Sequence, residues 1–339
     1  AKAKPLNPTP LIGQDLDPLG ESQLTCGLAH CLNAIEQLEV KGMTFWVGTD
    51  EGLFENAEKP VIALEDRSVS ALAEDEHSIW AIVDDHSIWR YDDDWREFGQ
   101  IDDYEVHCLL PSKDRLFAGT FAAHVYQLVG PEFTLVDGFE QVETRGLWGT
   151  PWGGLPSTRT MCRGNNDDIY ANVHVGGLVR STDEGRTWEQ TPLDIDVDVH
   201  EVHHDASGSG ALMIAAARGF ASSENGVEWH FNNEGLHAHY LRAVTTTNES
   251  TFVCASRGPR GQEVAIYRRP TGGHTPFSRC GYEGGWLSKN IDAAALTTSG
   301  DEVIFGTDDG CVHRSEDDGL TWESCASELP AVKAVLITH

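Results

Sequence analysis

The frame Ser-x-Asp-x-Gly-x-Thr-Trp occurs twice in this chain, as STDEGRTW from Ser181 and as SEDDGLTW from Ser315. Such a frame fits a tight turn between two strands. The Asp side chain can accept from backbone N–H groups, Gly supplies a left-handed position, and Trp packs under the hairpin as the next strand begins. A turn device used twice points to a repeated hairpin architecture, and a repeat constrains the fold more than any single motif. Two worn copies extend the series. Ser222-x-Glu224-x-Gly226-x-Glu228-Trp229 keeps the Gly and Trp, and Tyr91-Asp92-Asp93-Asp94-Trp95 keeps the acid and the Trp. Asp183 and Asp317 are thus read as turn formers, not as catalysts.

Reading backwards from each frame gives a unit of four strands. The first strands read CLNAIEQL from Cys31, VSALAED from Val69, VHCLLPS from Val106 and TRTMCRG from Thr158. They continue with VHEVHHD from Val199, LRAVTTT from Leu241, DAAALTT from Asp292 and VKAVLIT from Val332. The second strands read FWVGTD, IWAIVDD, LFAGTF, IYANVHV, LMIAAARG, FVCASRG and VIFGTDDG. Steps of roughly 35 to 55 residues match four-stranded propeller blades. The expected fold is all-β, a single seven-bladed β-propeller of four-stranded antiparallel blades over residues 31–339, after an N-terminal extension, 1–30. Eight first-strand candidates serve seven sets. VKAVLIT is expected to close the ring as the inner strand of the first blade, with CLNAIEQL elsewhere or on an outer edge.

On these boxes and strands the chain resembles the BNR/Asp-box propellers, a group that includes sialidases, two-propeller xyloglucanases, sortilin-type receptors and photosystem II assembly-factor propellers. Phrases such as TPWGGLPSTR, NVHVGGLVRSTDEGRTW and GPRGQEVAIYRRP look most like the single-propeller WD40/YVTN/BNR-like repeat proteins, often labelled glycosyl hydrolase. The resemblance implies a fold and brings no established activity. A sialidase would carry an early Phe/Tyr-Arg-Ile-Pro motif. The nearest phrase here, Tyr267-Arg268-Arg269-Pro270, ends a strand of the sixth blade and has Arg where Ile belongs. A xyloglucanase cleft needs a second propeller, for which 339 residues are too few.

Charge narrows the partners. The formal net charge is -30, from 54 acidic and 24 basic residues, only seven of them Lys. That balance argues against nucleic acid and acidic membranes, and it suits a salty cytoplasm. No apolar run is long enough for a membrane span or a signal peptide. The eight Cys are scattered without CxxC pairs, so reduced thiols and a cytoplasmic location are expected.

Blade topology also separates two faces. The boxed turns mark one. The other is built from the second-to-third-strand turns and the starts of inner strands, where propeller sites usually lie. That front face collects His174, Arg218 and Arg257 from turns, and His107, Arg159, His200, His203, Arg242, Asp292 and Lys333 from strand starts. Connections add Trp148, Trp152, His237, His239, Tyr240 and Trp286.

Three readings follow. Arg159, Arg218, Arg242 and Arg257, with His174, His200, His237 and Tyr240, would hold an anionic small molecule, a glycan or a protein partner, while Trp148 and Trp152 stack a ring. His174, His200 and His237 would instead bind a divalent transition metal and leave a position for water. Or the same residues tie blades together. A glycosidase-like hydrolase or lyase would need an acid or base, with Glu201, Asp198, Glu143, His200 and Tyr240 as candidates. By strand alternation Glu201 points away from His200, and His200 and His203 face opposite sides.

Overall fold

The structure is a computed structural model that describes residues 44–56, 61–192, 198–206, 208–273, 275–282 and 285–338. The segment CLNAIEQL and the N-terminal extension lie outside these residues. The chain forms seven four-stranded antiparallel sheets. Six are built from consecutive strands. Their inner strands are Val69–Glu74, Val106–Ser112, Ser157–Arg163, Val199–His204, Tyr240–Thr246 and Leu296–Ser299, in blades two to seven. The first blade is shared between the two ends of the described chain. Val332–Thr338 is its inner strand and pairs with Thr44–Thr49, which continues into Gly52–Asn56 and Val61–Ala63.

Second strands are buried on both faces, because each blade stacks on two neighbours. Leu212–Ala216 and Ser250–Ser256 are buried at every residue. Such strands read as continuous apolar runs, unlike the alternating inner strands. Among the described residues the hydrophobic core divides into seven clusters, one for each junction between adjacent blades. In the cluster between blades six and seven, for example, Phe252 and Cys254 pack with Val303 and Phe305. The six described cysteines are all free thiols, and no described helix is long and apolar enough to cross a membrane.

The boxed turns lock the outer hairpins. Ser181 Oγ donates to Asp183 Oδ1 at 2.9 Å and accepts the Gly185 N–H at 2.8 Å. Asp183 accepts from the Thr187 N–H at 2.8 Å and the Thr187 hydroxyl at 2.6 Å, and Trp188 Nε1 donates to the Gly185 carbonyl at 3.0 Å. Ser315, Asp317, Gly319, Thr321 and Trp322 repeat every one of these bonds. The box in blade five is shifted by one residue from the expected frame. Ser223 and Asn225, not Ser222 and Glu224, make the turn, with Asn225 Oδ1 accepting from the Val227 and Glu228 N–H groups at 2.9 Å each. Asn offers the same carbonyl-type acceptor as Asp, so the turn survives without the charge.

Box glycines also serve blade stacking. Gly185, Gly226 and Gly319 have φ of +83°, +72° and +74°. A Cβ at these positions would lie 2.9 Å from Phe117, 2.4 Å from the Tyr170 hydroxyl and 2.4 Å from Phe252, each on the preceding blade. Two independent constraints, backbone conformation and close approach, therefore require glycine there.

Candidate functional site

The inner strands share a local irregularity that builds the site. Register slips by one residue at Ser70, His107, Arg159, His200 and Arg242, and at Lys333 in the closing strand. Each slip is a β-bulge, in which one residue has no opposite number and its side chain is re-aimed. All six bulged residues line one cavity of about 480 Å³ in the central channel. In blade seven the short 3-10 turn Ala293–Ala295 replaces the bulge, and Asp292 just ahead of it reaches the same cavity. The bulges lie at the ends of the inner strands that pair next to the second-to-third-strand turns, opposite the boxed turns.

The bulge also changes which side chains face inward. With His200 as the extra residue, Glu201 and His203 line the channel together with it. Simple alternation put Glu201 and His203 on the side away from His200. The structure corrects this, because the slip between Val199 and Glu201 resets the alternation.

Basic groups crowd this wall. Arg242 binds Asp292 through Nε at 2.6 Å and a second, shorter contact. Lys333 pairs with Asp50 at 3.3 Å. Among the described residues, no hydrogen bond or ion pair engages the Arg159 guanidinium. Burial and then the nearby Arg242 charge pull its pKa below the usual arginine value. His107 beside it is lowered by burial and by Arg159. His203 is driven down to about 4 by burial, and its Nε2 lies 2.9 Å from the Thr246 hydroxyl.

Three carboxyl groups line the cavity: Asp85 from the blade-two turn, and the pair Glu201 and Asp292. Burial raises Glu201 to about 8, with a further push from Asp292, although its Oε2 accepts the Val244 N–H at 2.6 Å. Asp292 is the more exposed of the two. Glu143, the other distant carboxylate considered from sequence, sits in the connection ahead of blade four and is not part of this wall.

At the same wall, blades four and five bring together His174, Asp198 and His200, whose candidate ligand atoms all lie within 4.8 Å of one another. His174 Nε2 lies 3.1 Å and His200 Nε2 3.4 Å from Asp198 Oδ1. His200 is 3% exposed, and its Nδ1 donates to the Leu241 carbonyl at 2.5 Å. The Tyr240 ring covers it at 4.7 Å between centroids. Burial alone would raise the Asp198 carboxyl, but the two imidazoles outweigh it and hold it well below the usual carboxylate range. His174 is lowered by burial, partly offset by Asp198.

The other sequence candidates lie elsewhere. His237 is held by the Tyr267 hydroxyl at 2.8 Å and packs on Trp286, away from His174 and His200; Asp198 stands where His237 was expected. A shallower hollow beside the channel mouth joins His237, Tyr240 and Arg257. Arg257 is paired with Glu263 at 2.6 Å, and Arg218 is exposed on the blade-five turn. Trp148 packs on Phe139 at 5.7 Å and under Arg145, and Trp152 is 75% exposed on its loop. Neither tryptophan lines the channel. Sequence reading had Asp198 only as a possible base. The overlooked signal was Asp198-x-His200, an i, i+2 spacing that lets two ligands share one side of an extended chain.

No protein-family model and no curated protein matches the sequence. Solved structures do match the fold. A catalytically inactive virginiamycin B lyase from Staphylococcus aureus with quinupristin superposes with a TM-score of 0.58 at 14% identity, over 84% of this chain and 88% of that one. An ancestral GH74 enzyme matches with a TM-score of 0.57 at 14% identity over 83% of this chain, which spans only 40% of that enzyme's length. YCF48 bound to D1 peptide matches with a TM-score of 0.54 at 14% identity, over 79% of this chain and 92% of that one. At these identities the likeness is one of fold, the seven-bladed propeller, shared by lyases, glycoside hydrolases and binding proteins.

Proposed function

We propose that this propeller binds an anionic ligand at the front mouth of its central channel, with Arg159 as the primary contact and Arg242 and Lys333 flanking it. One observation carries the reading. In a chain with 54 acidic and 24 basic residues, Arg159 is a part-buried guanidinium that makes no direct ion pair or hydrogen bond among the described residues, and Asp292 and Asp198 act on it only at longer range. Holding a desolvated cation beside another cation is costly, and an anion relieves both penalties. A carboxylate or phosphate would take two parallel N–H bonds from the planar guanidinium. Supporting the reading, the cavity of about 480 Å³ is the size of a small-molecule site. The ligand classes are a carboxylated or phosphorylated small molecule, an acidic sugar, or the acidic side chain of a protein partner. Arg218 and Arg257, at the rim, would serve the larger of these.

The test is calorimetric titration at low ionic strength with a panel of carboxylates and phosphates, from galacturonate to inorganic phosphate, and with neutral galactose as control. At least one acid should bind, galactose should not, and Arg159→Gln should weaken binding at least about tenfold, or ~1.4 kcal/mol. If no acid binds, or Arg159→Gln binds as the parent does, the reading fails.

A second reading, a glycosidase-like hydrolase or lyase, is favoured by the placement of Glu201 and Asp292 in the same channel wall. A carboxylic acid and a carboxylate facing one cavity are what such chemistry requires. Turnover of an acidic glycoside, lost in Glu201→Gln and Asp292→Asn, would establish it.

A further inference from the structure

We infer that His174, Asp198 and His200 form a binding site for a divalent first-row transition metal, set into the wall between blades four and five. The site stands on its own geometry and does not depend on the anion reading.

His200 gives the first argument. Its Nδ1 proton is committed to the Leu241 carbonyl, which fixes the tautomer and leaves Nε2 with a lone pair. That Nε2 is buried and has no hydrogen-bond partner. It looks at Asp198 Oδ1, 3.4 Å away, which is also an acceptor. Two acceptors brought face to face in a buried place need a cation between them, either a proton that makes an imidazolium–carboxylate pair or a metal ion held by both. An imidazole whose second nitrogen donates to a backbone carbonyl is the usual arrangement of a metal-ligating histidine.

Spacing gives the second argument. Donor atoms bound at about 2.0 Å around a tetrahedral ion lie about 3.3 Å apart. The His174–Asp198 and His200–Asp198 separations are 3.1 and 3.4 Å. The two imidazole nitrogens are no further than 4.8 Å apart, so a shared ion would require the less buried His174 ring to move closer to His200. Two imidazoles and one carboxylate suit Zn²⁺, Co²⁺ or Fe²⁺ rather than Ca²⁺ or Mg²⁺, which prefer oxygen donors. Three protein ligands leave at least one position for water or a ligand atom.

Co²⁺ titration of metal-free, untagged full-length protein tests this directly. One equivalent should bind with the visible bands of a low-coordinate Co²⁺, and Zn²⁺ should displace it. His174→Gln and Asp198→Asn should each weaken binding at least about tenfold. His204→Ala, at a half-buried position held by Asn165, and His230→Ala, at an exposed one, both outside the trio, should bind as the parent does. Melting curves will show which variants remain folded, and His174→Gln, at the less buried position, is the variant least disruptive to packing. Absence of a stoichiometric Co²⁺ spectrum in the parent, or an unchanged spectrum in folded His174→Gln and Asp198→Asn, would overturn the assignment.

Discussion

Glu201 of blade five accepts the backbone N–H of Val244 in blade six at 2.6 Å, and Thr160 of blade four does the same for Val202 of blade five at 3.0 Å. Both side chains follow a bulge, and both reach across to the next inner strand. Edge N–H groups facing a channel would otherwise lack a partner in the protein. Glu201 therefore has a stitching role whatever chemistry it performs. Glu201→Ala should cost about 1–3 kcal/mol in urea unfolding, because it strands a buried donor. Glu201→Gln keeps an acceptor oxygen and should cost much less. Equal losses for the two variants would show that the stitch contributes little.

The box glycines give a second prediction. Gly319→Ala forces a left-handed alanine against Phe252, where its Cβ would begin 2.4 Å from the ring. Strain and overpacking together should lower stability by about 2–4 kcal/mol in denaturant titration. Gly130→Ala, with φ +63° and nothing within 4 Å, isolates the backbone part and should cost about 1 kcal/mol. A loss at Gly319 no larger than at Gly130 would remove the packing argument.

Acid sensitivity follows from the boxes. Hydrogen bonds from the Thr187 hydroxyl and backbone N–H hold Asp183 below the ordinary carboxylate value. Burial would raise Asp317, but bonds from Thr321 and Ser315 outweigh it and hold it low as well. A lowered folded-state pKa means that the unfolded chain binds more protons in acid. The contribution is therefore present above the ordinary carboxylate pKa and is lost as pH falls through the folded one. Melting temperature should fall steeply below the ordinary Asp range, and less steeply in Asp183→Asn/Asp317→Asn. Asn225 shows that an amide can hold the turn. Identical acid profiles would contradict the assignment.

Net charge supplies a fourth expectation. At -30, like-charge repulsion opposes the compact state, and salt screens it. The melting temperature should rise between about 0.05 and 1 M KCl, by more than it does in equally concentrated sucrose. A flat response to salt would mean that the acidic groups are already neutralised locally by their partners.

Much of the fold was legible because its signals are local. Two intact boxes set the period, and apolar runs such as LMIAAARG marked the second strands. The site was legible only to the level of which strand ends share a face. Bulges depend on pairing register, which the residues themselves do not display, so the joint orientation of His200, Glu201 and His203 was missed. The blade-five box is expected from Ser222, but the hydrogen bonds start it at Ser223, a one-residue shift that the sequence does not display. Trp148 and Trp152 sit in a long connection whose path is set by packing on Phe139 and Arg145, so their location could not be read from spacing.

The central claim is that Arg159 is kept in the channel for a ligand and not for the fold. The most direct measurement is the stability of Arg159→Met, with and without the best-binding acid. If the claim holds, the ligand-free variant is at least as stable as the parent, because an unpaired desolvated charge has been replaced by an apolar chain of similar length. The stabilisation that the acid gives the parent then disappears. A variant that is markedly destabilised without ligand, yet still stabilised by the acid as the parent is, would contradict the account.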